Sequence, residues 1–162
     1  MIKRFFIVVC ALVAISFSAA AQPKESSVRE KIIELAKKYV DGKEVESFTF
    51  EKGSGLSVVK LALRKEMGKD FLKGIDIMIF ISYDEAPAEM AEKVQKEVKE
   101  IAKDLISKDA PEDVTEGKKT LTYFDVDEET ESIHDMIIII EDEKTKMLMY
   151  MGGTIKAEDM KE

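Results

Sequence analysis

The stretch 133–155 constrains the fold more than any other part of the sequence. It reads IHDMIIIIEDEKTKMLMYMGGTI, in which two runs of apolar and β-branched residues flank a charged segment and a glycine pair lies near the far end. This pattern predicts a β-hairpin. Two adjacent strands so rich in large apolar side chains must be covered, so we expect the amphipathic helices earlier in the chain to pack on them.

The rest of the sequence divides into helical and strand-like segments. The spacing of apolar residues predicts helices over 27–40, 56–67 and 87–105. Apolar segments and period-two alternation predict further strands over 45–50, 75–83 and 120–126. The resulting order is helix, strand, helix, strand, helix and then three strands in succession.

This order of elements indicates the fold class. A strand-helix-strand unit favours a right-handed parallel crossover, and three successive strands favour an antiparallel meander. We therefore predict an α+β fold with a single mixed, mainly antiparallel sheet of about five strands and helices packed mainly on one face. The chain of 162 residues is long enough for one domain, which we place at 22–162.

Residues 1–21 have the three parts of a secretory signal peptide. Lys3 and Arg4 supply the positive start, residues 5–17 form an apolar core, and three alanines end at Ala21. The apolar run is shorter than the roughly 20 residues that span a bilayer. We predict cleavage after Ala21 and a periplasmic or secreted mature protein.

The single cysteine, Cys10, lies inside the apolar core of this predicted signal. Val8 and Val9 precede it, rather than the small residues of a lipoprotein cleavage site, so we expect no lipid anchor. A mature chain starting at Gln22 has no thiol. This excludes disulfides, cysteine nucleophiles and thiolate metal sites from the mature protein.

The acidic balance of the chain bears on its partners. The net charge is −8, and removal of Lys3 and Arg4 with the signal lowers it to −10. Binding of nucleic acid or anionic lipid through a broad basic face needs clustered Lys and Arg. We therefore expect neither partner.

Four stretches carry a resemblance to a known family: 56–67, FLKGI at 71–75, 77–83 and MGGTI at 151–155. With the order of elements, they resemble the small exported bacterial proteins described as domain of unknown function 4252, over about 48–160. The resemblance implies a signal-bearing, envelope-located α+β protein of a Gram-negative bacterium, with no established activity and no catalytic residues to carry over. Some relatives look like lipoproteins, from which this chain departs at Cys10.

The hairpin offers one candidate metal site. If Ile140 pairs with Thr145, the register brings thioethers and the only histidine of the chain onto one patch. Such groups are the soft ligands left for Cu(I) in an oxidising envelope without thiols. The alternative is that the methionines fill an irregular core with the histidine at its rim. The residues to test are His134, Met136, Met149 and Met151.

Asp125, Asp127 and Glu129 alternate like the start of a calcium loop. The pattern then fails, because Thr130 occupies the position of the sharp-turn glycine and Met136 that of the bidentate glutamate. We therefore predict a solvated acidic turn rather than a metal site.

Two function classes follow from these patterns. Apolar residues on the second sheet face favour a non-enzymatic binding or interaction module for a protein partner or an apolar ligand in the envelope. These residues are Met78, Phe80, Met136, Ile138 and Ile140. The alternative is a hydrolase using paired carboxylates, which a cleft containing carboxylates with raised pKa values would favour. The sequence identifies no catalytic residue and no cofactor.

Overall fold

A computed structural model of the chain describes residues 27–40, 42–103, 105, 113–115 and 118–160. The predicted signal peptide and its cleavage site lie outside these residues. The described elements are, in order, α1 (Ser27–Tyr39), β1 (Glu46–Glu51), α2 (Leu56–Met67), α3 (Lys69–Lys73), β2 (Ile75–Ser82), α4 (Ala88–Ala102), β3 (Asp113–Thr115), β4 (Lys118–Asp127), β5 (Ser132–Glu141), β6 (Lys146–Lys156) and a 3₁₀ helix (Ala157–Met160). Over the described ranges, no helix is long and apolar enough to cross a membrane.

The strands form one sheet in the order β1-β2-β6-β5-β4-β3, and all neighbouring strands are antiparallel. Five of them have at least six residues, and β3 adds a three-residue edge. The structure confirms the α+β fold and the predicted hairpin, whose strands β5 and β6 lie at the centre of the sheet.

The predicted parallel crossover between the first two strands is wrong. Glu51 at the end of β1 lies opposite Ile77 near the start of β2, so the chain returns to the end of the sheet that it left. The connection contains α2 and then the short helix α3, with a break between them at Gly68, where φ is 78°. A positive φ is accessible to glycine, and it ends α2 and redirects the chain. The sheet is therefore entirely antiparallel rather than mixed.

Helices cover both faces of the sheet, rather than mainly one. On the first face, α1 and α4 pack over Ile77, Ile79, Ile137 and Tyr150. On the second face, α2 and α3 contribute to a separate core that is rich in methionine and isoleucine. It includes Leu63, Phe71, Met78, Met136, Ile138, Ile140, Met149 and Met151.

The second face is not the exposed apolar patch that the sequence suggested. Met78, Met136 and Ile138 are each 0% exposed. Phe80 is half-buried and packs against the same core. Burying this many apolar side chains provides the main driving force for folding, at roughly 25 cal/mol per Å² of apolar surface.

The hairpin register differs from the predicted one by two residues. Glu141 pairs with Lys146, and Ile140 faces Met147 rather than Thr145. Since side chains alternate with period two, an even shift leaves each residue on its predicted face. Met136 therefore faces Met151, which the predicted register had paired with His134.

Candidate functional site

The sheet is irregular at one level along its strands, starting at β2. Ile75 pairs with Gly153 and Ile77 pairs with Gly152, so Asp76 is an extra residue on β2. Such a β-bulge disturbs the local ladder and changes the direction of the side chain that it carries.

The same irregularity continues through the next strands. Two residues of β5, His134 and Asp135, lie opposite the single residue Asp125 of β4. On the other side of β5, His134 lies opposite both Gly153 and Thr154 of β6. The irregular positions of β2, β6, β5 and β4 thus lie side by side, and most of them carry an ionisable side chain.

Bulges are over-represented next to active sites, where they direct a side chain away from the regular pleat. The ionisable groups at these positions interact with one another and with Arg29 of α1 and Tyr150 of β6. We call this set the bulge-line cluster. It consists of Arg29, Asp76, Asp125, Asp127, His134, Asp135 and Tyr150.

At the centre of the cluster, the Tyr150 hydroxyl donates a hydrogen bond to Oδ1 of Asp135. Asp135 pairs directly with Gly152 across the two strands. A Cβ atom on Gly152 would lie 2.5 Å from the Tyr150 hydroxyl oxygen. The absence of a side chain at Gly152 therefore leaves the space in which Tyr150 reaches Asp135. Burial, and then the charge of Asp135, raise the pKa of Tyr150, so the phenol stays a proton donor.

Arg29 and Asp76 form the part of the cluster nearest α1. Their side chains form an ion pair, with 3.0 Å between Nη2 and Oδ1 and 3.2 Å between Nη1 and Oδ2. Burial alone would lower the pKa of Arg29, but the hydrogen bond and charge of Asp76 outweigh it and leave the pKa raised. The pair ties α1 to the bulge of β2.

Asp125 is half-buried on β4. Burial, and then the charge of Asp135, raise the pKa of the Asp125 carboxyl group, while His134 opposes this effect. The charge of Asp135 therefore disfavours ionisation of Asp125, which is the effect of a like charge nearby.

His134 lies beside the acidic turn that joins β4 to β5. Its Nε2 shares a hydrogen bond of 3.2 Å with the Ser132 hydroxyl and lies 3.8 Å from Oδ2 of Asp127. Asp127 Oδ1 in turn accepts hydrogen bonds from the backbone N–H groups of Glu129 and Thr130. A side-chain hydrogen bond with Thr130, and then these backbone hydrogen bonds, lower the pKa of Asp127.

The cluster runs from solvent to the protein interior. The side chains of Asp76 and Asp127 are 37% and 35% exposed, whereas Asp135 is 2% exposed. Oδ2 of Asp135 and Nδ1 of His134 are buried without a hydrogen-bond partner in the part of the chain that the structure describes. A buried carboxylate oxygen without a donor is costly and calls for a ligand, an ordered water or a proton.

The residues proposed for Cu(I) come together only in part: the three methionines share one cluster, and His134 lies elsewhere. Met136, Met149 and Met151 lie in the core of the second face and are each 0% exposed. His134 lies at the bulge, where its partners are Ser132 and Asp127. The thioethers thus occupy the positions expected of core-filling methionines.

Asp125, Asp127 and Glu129 do not converge on one point. Asp127 forms a turn with Glu129 and Thr130, and Asp125 interacts with Asp135 on the neighbouring strand. Within the described ranges, no three His, Cys, Asp or Glu side chains are arranged to hold a metal ion.

Sequence reasoning missed most of the cluster because its members are distant in sequence. Arg29, Asp76 and Tyr150 converge only through the strand order and the bulges. One signal was present in the sequence. Asp135 is an aspartate within the apolar run of β5, and an aspartate in such a buried position is rare unless it has a partner.

Comparison with protein-family models, with curated proteins and with solved structures finds no match to this chain. The resemblance to domain of unknown function 4252 stays a prediction, and the site must be interpreted from its own chemistry.

Proposed function

We propose that this protein is an exported, non-enzymatic binding module of the cell envelope, and that its ligand binds at the bulge-line cluster. The observation that carries the proposal is the buried Oδ2 atom of Asp135, which has no hydrogen-bond partner among the described residues. A module that binds a ligand there would supply the missing donor. The side chains of Asp76 and Asp127, in the same cluster, are partly exposed to solvent.

A polar small molecule fits this site better than the protein partner or apolar ligand expected from the sequence. That expectation depended on an exposed second face, but Met136 and Ile138 are fully buried. Among the described residues, the large apolar side chains that remain exposed are Phe48 on the edge strand β1, Val58 and Leu61 on α2, and Val40 after α1. A few exposed apolar residues of this kind are ordinary features of protein surfaces.

The proposal is tested by ligand-observed NMR with a fragment library that contains cationic, neutral and anionic small molecules. We expect fragments that bind the wild-type protein and lose binding in Asp135→Asn. The control Glu92→Gln removes one negative charge from an exposed position on α4 and should bind the same fragments. If no fragment depends on Asp135, the proposed function is wrong.

A carboxylate hydrolase is the second candidate, and one observation favours it. Burial and the charge of Asp135 raise the pKa of Asp125, which suits a proton donor, while a neighbouring carboxylate can act as base. Chromogenic ester and glycoside substrates test this candidate. Hydrolysis that is abolished in both Asp125→Asn and Asp135→Asn would favour the enzyme, and no turnover above buffer would leave the binding module.

Export is part of the proposal. The signal predicted at 1–21 leads us to expect a mature chain that begins at Gln22 and is found in the periplasm or the medium. Mass spectrometry of the protein purified from cell fractions tests this, because retention of residues 1–21 or a lipid on Cys10 would contradict it.

A further inference from the structure

We infer that the ligand of the bulge-line cluster is a small organic cation that carries a primary ammonium group on an unbranched chain. This inference rests on the proposed function and names the chemical class of its ligand.

The partner of Asp135 Oδ2 must donate a hydrogen bond. An ionised carboxylate only accepts hydrogen bonds, and the Tyr150 hydroxyl already occupies Oδ1. A bound anion would face Asp135 with like charge and no donor. A neutral alcohol offers one donor, whereas an ammonium group offers three donors together with the opposite charge.

The charge of the whole cluster favours a cation. Four aspartates belong to it, at 76, 125, 127 and 135, and the lysine or arginine side chains beside them are Arg29 and Lys60, whose ammonium group donates to the Ile75 carbonyl and interacts with Asp76. The guanidinium of Arg29 is engaged by Asp76 through two contacts. Ligand binding at Asp135 would therefore add positive charge where negative charge is in excess.

A metal ion would satisfy the same charge, but its ligands are not arranged for it. Within the residues that the structure describes, no three His, Cys, Asp or Glu side chains form a group that could hold a metal ion. An organic cation needs no such coordination sphere, because directed hydrogen bonds to one or two carboxylates suffice. The chemistry of the site therefore favours an amine over a metal.

The burial of Asp135 indicates the shape of the ligand. Asp135 is 2% exposed, its neighbour Gly152 is buried, and the more exposed Asp76 and Asp127 lie nearer the solvent. A slender group is needed to reach Oδ2 from the surface. A primary ammonium on an unbranched alkyl chain has this shape, and a branched amine of the same charge does not.

Thermal unfolding tests the inference with three probes of one chain length: n-butylammonium, n-butanol and butyrate, at equal ionic strength. A ligand at ten times its Kd stabilises the native state by RT ln 11, which raises Tm by about 3 to 6 °C for a domain of this size. We expect a saturable rise of this kind with n-butylammonium alone. tert-Butylammonium, which carries the same charge on a branched carbon, should give less than about a third of the rise.

Variants show whether the effect arises at Asp135. In Asp135→Asn, which keeps the size of the side chain and an acceptor for Tyr150, n-butylammonium should bind roughly tenfold more weakly or worse. Glu92→Gln should bind it like the wild type. Tyr150→Phe removes the donor on Oδ1 and leaves Oδ2 in place, so this variant should bind at least as tightly, although it is less stable. If Asp135 acted only through its hydrogen bond to Tyr150, Tyr150→Phe would lose binding as Asp135→Asn does.

The outcomes separate the inference from the proposed function. An unchanged response to n-butylammonium in Asp135→Asn, loss of binding in Tyr150→Phe, or no response in the wild type would overturn the inference. A response to butanol or butyrate that depends on Asp135 would also overturn it but would support the proposed function. The fragment experiment decides the proposed function independently.

Discussion

The hydroxyl of Tyr150 donates a hydrogen bond to the carboxylate of Asp135, and both residues are almost fully buried. A tyrosine that is 0% exposed beside a carboxylate that is 2% exposed forms a polar pair at the boundary of an otherwise apolar core. The pair satisfies one carboxylate oxygen and leaves the other without a donor in the described structure. It therefore links the stability of the fold to the proposed site.

Removal of the Tyr150 hydroxyl should destabilise the protein. Tyr150→Phe leaves the buried carboxylate of Asp135 without its donor, so we expect a loss of about 1 to 3 kcal/mol in the free energy of unfolding, measured by urea denaturation. Tyr83 provides a matched control, since its hydroxyl donates to Oε1 of the half-buried Glu141 at 3.2 Å. Tyr83→Phe should cost about 1 kcal/mol or less, because Glu141 can turn to water. A larger loss in Tyr83→Phe than in Tyr150→Phe would contradict this view.

The close approach of β6 to the turn before β2 should make Gly153 intolerant of substitution. Gly153 has φ of 150°, and a Cβ atom there would lie 2.1 Å from the backbone oxygen of Gly74. Gly53 also has a positive φ, 94°, but nothing lies within 4 Å of its Cβ position. Gly53→Ala should cost about 1 to 2 kcal/mol from backbone conformation alone. Gly153→Ala should cost roughly 4 kcal/mol or more, because backbone atoms must also move.

Urea denaturation of the two glycine variants measures the difference. Since both positions have a positive φ, the excess loss in Gly153→Ala reports the close approach of the backbone at Gly74, Ile75 and Asp76. Equal losses in the two variants would show that the strands do not approach as closely as described.

Asp125 should make stability depend on pH. Its folded-state pKa lies above the unfolded value of 3.8, so the folded state binds the proton more tightly. The tighter proton binding contributes to the free energy of unfolding. This contribution is fully present below the unfolded pKa and is lost as the pH rises through the folded pKa. Asp125→Asn has no carboxyl group at this position and therefore does not lose this stabilisation. The variant should become more stable relative to the wild type as the pH rises from 3 to 7.

Asp127 provides a control with the opposite sign. Its pKa is lowered in the folded state by hydrogen bonds with Thr130 and Glu129, so its contribution is present above the unfolded pKa and lost as the pH falls. Asp127→Asn should therefore be less stable than the wild type at pH 7, and the gap should narrow in acid. Urea denaturation between pH 3 and pH 7 measures both variants. Parallel stability profiles for the two variants over this pH range would contradict the opposite pKa shifts of Asp125 and Asp127.

The buried methionines should not bind Cu(I). Met136, Met149 and Met151 are each 0% exposed, so coordination would require opening the core of the second face. We expect no binding in a titration with micromolar Cu(I), and a loss of about 2 to 5 kcal/mol in stability for Met149→Ala because the substitution leaves a cavity. Micromolar binding that disappears in Met149→Ala would revive the metal site.

Patterns of short period predicted much of the fold. The alternation of Ile75, Ile77, Ile79 and Ile81 predicted β2, and helical spacing predicted α1 and α4. Such patterns depend on local burial, which the sequence displays directly. The antiparallel return between β1 and β2 was missed because it depends on one positive φ at Gly68 and the five-residue helix α3.

The hairpin register shows where local patterns become insufficient. A four-residue loop could begin at Glu141 or one residue later, and both choices keep the apolar faces together. The structure uses Asp142, whose Oδ1 accepts hydrogen bonds from the backbone N–H groups of Lys144 and Thr145. This turn fixes the register through side-chain chemistry that apolar periodicity does not report.

The bulge-line cluster was the least predictable feature. Asp76 and Asp125 look like solvated acids in the sequence, but the structure pairs Asp76 with Arg29 and brings Asp125 near Asp135 at the register shifts of β2 and β5. Bulges leave no clear mark on a sequence that keeps its apolar alternation on both sides.

A crystal structure of the purified protein grown with n-butylammonium would locate the ligand relative to Asp135. We expect the ammonium nitrogen within about 3 Å of Oδ2 of Asp135, with the Tyr150 hydroxyl still on Oδ1. A side chain of the same protein donating to Oδ2, or an ordered water there with the amine absent, would contradict it.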